Sequence, residues 1–250
     1  MPAPTVHPAI RFATHMTVAA MAAGLLSSCS TFEQIRVNRE KKAEEIRQKA
    51  LRAEAGAAHA NWRATRGWKS KTYRNADLLA KATPENTAVE ISLNEQRGLL
   101  LVDTAIAMDF PVATGKRSHP TPAGEYKILG KQKDYSSNLY GKIVDAAGVV
   151  VVSDADTRSG AAPEGTTFVG ARMPYWMRLT NTGVGMHVGY VPGHPASHGC
   201  IRLKRDVAVQ LFEMLKVGTP VKVAPAAPAL AAPVEAPPKQ PKKAAAPTAA

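Results

Sequence analysis

The side chains able to do covalent chemistry are concentrated in one stretch, residues 185–203, which carries His187, His194, His198 and the cysteine Cys200. A cysteine attacks an amide carbonyl only as its thiolate. An ordinary thiol pKa of about 8.5 leaves little thiolate at neutral pH unless a basic or cationic group stands beside it. An imidazole within hydrogen-bond reach fills that need, taking the thiol proton and later returning it to a leaving amine. His187 suits this role if it ends a strand and the Gly/Pro-rich residues 189–199 fold Cys200 back beside it. Gly199 lets the backbone approach a reacting carbonyl closely, so its N–H and that of Cys200 are candidates for an oxyanion hole. The residue types by themselves specify thiol acyl transfer. A zinc site built from His194, His198 and Cys200 lacks the close, repeated ligand pairs zinc sites use. Asp154 and Asp156 are too sparse for a calcium loop. We therefore expect neither metal nor cofactor.

These residues need a scaffold, and the patterning predicts a mainly β one. Val89, Ile91 and Leu93 alternate with polar residues, and Asn94–Gly98 reads as a hairpin connection into Leu99–Val102. Further strand candidates are 106–113, 125–128, 149–153, 175–181 and 184–188. Short strands with Gly/Pro turns between them predict a β-sandwich or barrel-like domain. One helix is predicted near its end, with Asp206 as its cap and Val207, Leu211, Phe212 and Leu215 on one face. Gly218 stops it, and 219–223 forms a closing strand. Apart from Val149–Val152, residues 130–172 are long, polar and Gly/Asp/Ser-rich, the character of a lid or binding loop.

The flanks differ in kind. Arg11 precedes an apolar run from Met16 to Leu26, shorter than the ~20 residues a membrane span needs, and together they read as an export signal. The run ends in Leu26-Ser27-Ser28-Cys29, which resembles a lipoprotein lipobox; the alternative is a plain cleaved signal with Cys29 incidental. The chain has two cysteines. Lipidation of Cys29 leaves Cys200 a lone reactive thiol, whereas a Cys29–Cys200 disulfide would abolish the nucleophile. Residues 32–58 are charged and alanine-rich, with Ala43, Ile46, Ala50, Ala53 and Ala57 at helical spacing, predicting a solvated spacer helix of about 40 Å. Residues 59–87 show no clear period; fully extended they would add up to roughly 95 Å. Trp62 and Trp68 fall there without an evident role. The tail after Val223 is Ala/Pro/Lys and cannot bury a core, so disorder is expected. The boundaries read from this pass are 1–28 signal peptide, 29–87 lipidated cysteine and spacer, 88–223 catalytic domain and 224–250 tail. The net charge of +12 resides mostly on the flanks, since residues 88–223 carry 15 Lys/Arg against 12 Asp/Glu. No aromatic-interleaved basic patch is present, which argues against nucleic acid as a partner.

His187 followed by Ser197-His198-Gly199-Cys200-Ile201-Arg202 resembles the signature of the L,D-transpeptidase catalytic domain, the YkuD-like family. Glu90–Val102 with Gln96, Pro111–Lys116 with Thr121–Tyr126, and Gly218–Val221 resemble other blocks of that family in the same order. The gap of 13 residues from His187 to Cys200 is at the short end for it. The resemblance implies Cys200 as nucleophile, His187 as base and acid, and the Val188 carbonyl as the group orienting that histidine. It implies His198 and Gly199 at the oxyanion pocket, and Tyr175, Ser197 and Arg202 as contacts to the donor peptide, Arg202 with a stem carboxylate. The implied reaction is attack on the third stem residue of peptidoglycan with release of the terminal D-alanine. An amine then resolves the thioester: a neighbouring stem giving a 3→3 cross-link, a lipoprotein lysine or a free D-amino acid. Hydrolysis of the same bonds and a non-catalytic wall-binding tether are the alternatives. The implied setting is the cell envelope, on a lipid anchor facing the periplasm. Ser30 rather than Asp after Cys29 points to the outer membrane.

Overall fold

Reversal of the chain at Asp103-Thr104 shows how local chemistry builds this fold. Both residues take positive φ, 47° and 70°, between Val102 and Ala105, which pair directly. That is the twist a two-residue hairpin requires. The computed structural model describes the backbone of residues 13–225 and side chains from Phe32 onward. The first residues of the expected signal peptide, the Cys29 side chain expected to carry lipid, and the tail beyond 225 lie outside the described residues.

The chain divides into two compact units, Met1–Ala53 and Glu54–Ala250. The described part of the first is helix α1, which runs Ala13–Arg63 and so ends inside the second unit. Among residues 32–53 none is buried, and pairs such as Arg36–Glu33 at 2.7 Å lie along the helix surface. This is the solvated helix the alanine stripe predicts. It runs past the expected end at Ala58 because Ala55 and His59 are buried in the second unit. No helix among the described residues is long and apolar enough to cross a membrane.

The second unit is mainly β. Its elements are β1 (Tyr73–Arg74), α2 (Ala76–Leu79), β2 (Thr87–Ser92), β3 (Arg97–Val102), β4 (Ala105–Ala113), β5 (Gly124–Lys127), β6 (Gly130–Gln132) and β7 (Ser136–Val144). They continue with β8 (Val150–Asp156), β9 (Thr167–Arg172), β10 (Trp176–Arg178), β11 (Gly185–Val188), β12 (Ile201–Leu203), α3 (Arg205–Met214) and β13 (Pro220–Ala224). One sheet has the order β5-β13-β2-β3-β4-β12-β11-β10-β6, with β1 added against β4. Leu100, Phe110, Met177, Met186, Ile201, Leu203, Val207 and Leu211 join in one core cluster between this sheet and α3. The expected β2–β3 hairpin and the closing strand β13 are present. The region 130–172 differs from a simple loop: most of it forms a separate three-stranded sheet, β8-β7-β9. Of its strands only β8 matches an expected one, 149–153, and that strand is largely exposed, Val149–Val152 included.

Two expectations need correction. Asp206 does not cap α3; Lys204 holds that position, and Asp206 sits in the first turn paired with Arg74 at 2.7 Å. Nor do residues 59–87 extend as a tether. They pack on the sheet around Asp109, which is fully buried and accepts from His59 Nε2 (2.7 Å), Arg63 Nε (2.9 Å) and Arg97 Nε (2.7 Å). Trp68 lies under the Arg63 guanidinium at 4.4 Å, and Trp62 and Trp68 flank Arg97. A buried carboxylate is tolerable only with such partners, and two of the three, His59 and Arg63, arrive from the end of α1. The compact unit therefore begins at Glu54, well ahead of residue 88.

Candidate active site

β11 and β12 are parallel neighbours, with Met186 opposite Ile201, His187 opposite Arg202 and Val188 opposite Leu203. One further step places Cys200 beside Gly185, so Cys200 and His187 lie diagonally on the same face, two residues apart along the strands. Met186, Ile201 and Leu203 fill the opposite, core face. That face holds α3, so packing of the apolar residues orients the chemical ones.

His187 is 6% exposed, and its Nδ1–H donates to the Val188 carbonyl at 2.8 Å. A carbonyl only accepts, so the proton sits on Nδ1 and Nε2 keeps its lone pair. Burial pushes the imidazole down to about 4; the Val188 bond opposes this and the nearby Arg202 charge adds to it. Burial likewise pushes the Cys200 thiol up, against a backbone hydrogen bond from Gly185 and the Arg202 charge. The thiol donates to the Gly183 carbonyl at 3.6 Å, and Cys200 is a free cysteine. Burial thus favours the neutral form of the thiol and of the imidazole alike.

Trp176 is a site residue that sequence reasoning missed. Its ring centroid is 5.9 Å from that of His187, and Tyr135 stacks on it at 5.0 Å. A Cβ at Gly185 would come within 2.6 Å of the indole, so glycine there makes room for the ring that walls His187. Tyr175, the aromatic expected to face substrate, is not brought to this face. It adopts φ 57° and packs edge-on against Phe212 of α3 at 5.4 Å.

The turn carrying Cys200 is fixed by internal hydrogen bonds. Ser197 is 1% exposed; its Oγ accepts from Gly199 N–H (3.1 Å) and donates to the Cys200 carbonyl. Its donor and one of its lone pairs shape the turn, so the structure places this expected peptide contact inside the turn. The same bond commits the Gly199 N–H expected in the oxyanion hole. Gly199 has φ 111°, a conformation that favours glycine. Its carbonyl accepts from Thr121 Oγ1 at 2.8 Å, and that hydroxyl accepts from Gly115 N–H. His198 points elsewhere than an oxyanion: its Nε2 lies 2.9 Å from Lys116 Nζ and 3.1 Å from Asp154 Oδ1 of β8. Arg202 makes no ion pair among the described residues, and its stem packs where a Gly189 Cβ would be. Lys116 lies in a block the sequence singles out, yet nothing local distinguishes it from a surface lysine.

Residues 86–223 match the family model described as YkuD, L,D-transpeptidase catalytic domain. The Mycobacterium tuberculosis protein named "Probable L,D-transpeptidase 3" is 28% identical over 118 residues, covering 45% of this chain and 37% of its own length. Among solved structures, an L,D-transpeptidase from Mycobacterium smegmatis superposes with a TM-score of 0.42 at 24% identity, covering 56% of this chain and 58% of that one. A cysteine-to-serine mutant of the Enterococcus faecium L,D-transpeptidase gives 0.41 at 27% identity, covering 56% and 50%.

Proposed function

The chain belongs to the L,D-transpeptidase catalytic domain family, and from that membership we propose that it uses Cys200 and His187 for acyl transfer on peptidoglycan stem peptides. The observation that supports this best is the Nδ1–H bond from His187 to Val188. It leaves Nε2 basic on the face that carries the thiol. In the proposed cycle Nε2 takes the Cys200 proton as sulfur attacks the carbonyl of the third stem residue. The tetrahedral intermediate collapses to a thioester, and the protonated imidazole returns its proton to the departing D-alanine amine. An acceptor amine, deprotonated by Nε2, then attacks the thioester and regenerates the thiol. A neighbouring stem as acceptor gives a 3→3 link. Arg202, with no ionic partner among the described residues, is the candidate for a stem carboxylate.

Purified protein incubated with tetrapeptide-rich sacculi, followed by muropeptide mass spectrometry, tests the proposal. We expect 3→3 dimers and free D-alanine, both lost in Cys200→Ser and His187→Ala. Tripeptides without dimers would replace transfer by hydrolysis. Binding without any product would leave only a wall tether.

We further propose that Cys29 is acylated and holds the enzyme on the outer membrane, facing the periplasm. A helix from Cys29 to Ala53 spans roughly 38 Å, and with residues 59–87 folded onto the sheet, no extended 95 Å arm contributes further reach. Stable anchoring takes two or more acyl chains. Cys29→Ser is expected to leave the membrane fraction; a wild-type protein lacking acyl mass at Cys29 would reduce the segment to a signal peptide.

A further inference from the structure

Beside the nucleophile lies a cluster that the acyl-transfer chemistry does not use. Lys116 Nζ and His198 Nε2 both approach the Asp154 carboxylate, at 3.4 and 3.1 Å, and each other at 2.9 Å. A neutral imidazole nitrogen cannot both accept from Lys116 and donate to Asp154, so the three contacts cannot all be hydrogen bonds at once. The rings of His119 and Tyr140 lie 4.7 Å from that of His198 and wall the cluster. The remaining nearby charges, Asp156 and Arg158, neutralise one another at 2.7 Å. Without Asp154 this corner therefore carries positive charge.

Its placement is tied to the reaction centre. His198 is two residues ahead of Cys200. Lys116 N–H donates to the Ser197 carbonyl at 2.9 Å, and Gly115 bridges to Ser197. Asp154, by contrast, comes from the separate β8-β7-β9 sheet, and its side chain is 61% exposed. Ion pairs this exposed are worth about 0–1 kcal/mol, so another carboxylate replaces it at little cost.

We infer that Lys116 and His198 form a carboxylate-binding subsite next to Cys200, which Asp154 occupies in the absence of substrate and which a carboxylate of the stem peptide takes over on binding. The subsite rests on the reading of Cys200 as the acyl acceptor for such peptides. The stem offers carboxylates at its terminal D-alanine and on its side chains, and the site's chemistry serves either.

Alkylation of Cys200 in the full chain tests the subsite without any enzymatic turnover. Iodoacetate and iodoacetamide form the same C–S bond and expel the same iodide, differing only in carboxylate against amide. At low salt the iodoacetate-to-iodoacetamide rate ratio is expected to rise about fivefold in Asp154→Asn and fall about fivefold in Lys116→Met, with Lys116→Arg near wild type. Equal ratios in all four proteins would overturn the subsite. In turnover, Lys116→Met is expected to raise KM for the tetrapeptide about tenfold with kcat little changed. Peptides amidated at the terminal or at the side-chain carboxylate show which one is held, because the loss disappears for that peptide alone. Ratios that respond without peptide turnover uphold the subsite and overturn the acyl-transfer reading. Turnover with unresponsive ratios and KM does the reverse.

Discussion

Acidification provides the sharpest check on the neutral thiol–imidazole pair. His187 is 6% exposed, and its pKa is pushed down from 6.5 to about 4. As pH falls through 6.5, the unfolded chain takes up a proton that the folded one refuses until about pH 4. Stability therefore falls across that window, by about 3 kcal/mol at 1.36 kcal/mol per pH unit. The assay is urea unfolding followed by tryptophan fluorescence, for wild type and His187→Gln, at steps from about pH 7 to about pH 4. Carboxylates that titrate at the lower end are common to both proteins and cancel in the difference. The wild-type advantage over the variant is expected to shrink by about 3 kcal/mol. A constant advantage would mean that His187 charges freely in the folded protein, contradicting its burial behind Trp176. Cys200 alkylation by neutral iodoacetamide supplies a second reading of the same pair. With burial holding the thiol up, the rate is expected to keep rising beyond pH 9. A plateau from about pH 6 upward would reveal a preformed thiolate–imidazolium pair and refute the neutral one.

Three further outcomes follow from the packing. Asp109→Asn leaves Arg97, 2% exposed, without its carboxylate; a loss of about 3–5 kcal/mol in urea unfolding is expected, and a loss below about 1 kcal/mol would show the cluster to be dispensable. Gly185→Ala sets a Cβ within 2.6 Å of both the Trp176 indole and the Met177 carbonyl. The indole must move, so a fall in turnover of at least about tenfold with about 1–3 kcal/mol of destabilisation is expected, and wild-type turnover would contradict the wall assigned to Trp176. Thr121→Val strips a buried hydroxyl from the Gly115 N–H and the Gly199 carbonyl; thermal unfolding is expected to show a loss of about 1–3 kcal/mol together with altered Cys200 alkylation.

The residues proposed to carry the chemistry are legible without coordinates. Cys200 and His187 stand out because few side chains can form or activate a nucleophile, and strand alternation with Gly/Pro punctuation is a local property of the chain. The β2–β3 hairpin, the α3 face and the closing strand follow from the same short-range rules. The tertiary structure decided what each remaining group touches. Tyr175 and Trp176 are adjacent aromatics, and alternation cannot rank them; a positive φ at Tyr175 sends it to Phe212 and leaves Trp176 beside His187. Ser197 looks like a substrate contact in a motif, but it is buried, and closing the turn takes its donor and one of its lone pairs. Asp109 gathers partners from 50, 46 and 12 residues away, and Asp154 reaches Lys116 across 38. Such pairings are set by how sheets stack and where chain segments return. Periodicity within a strand or helix contains no record of them.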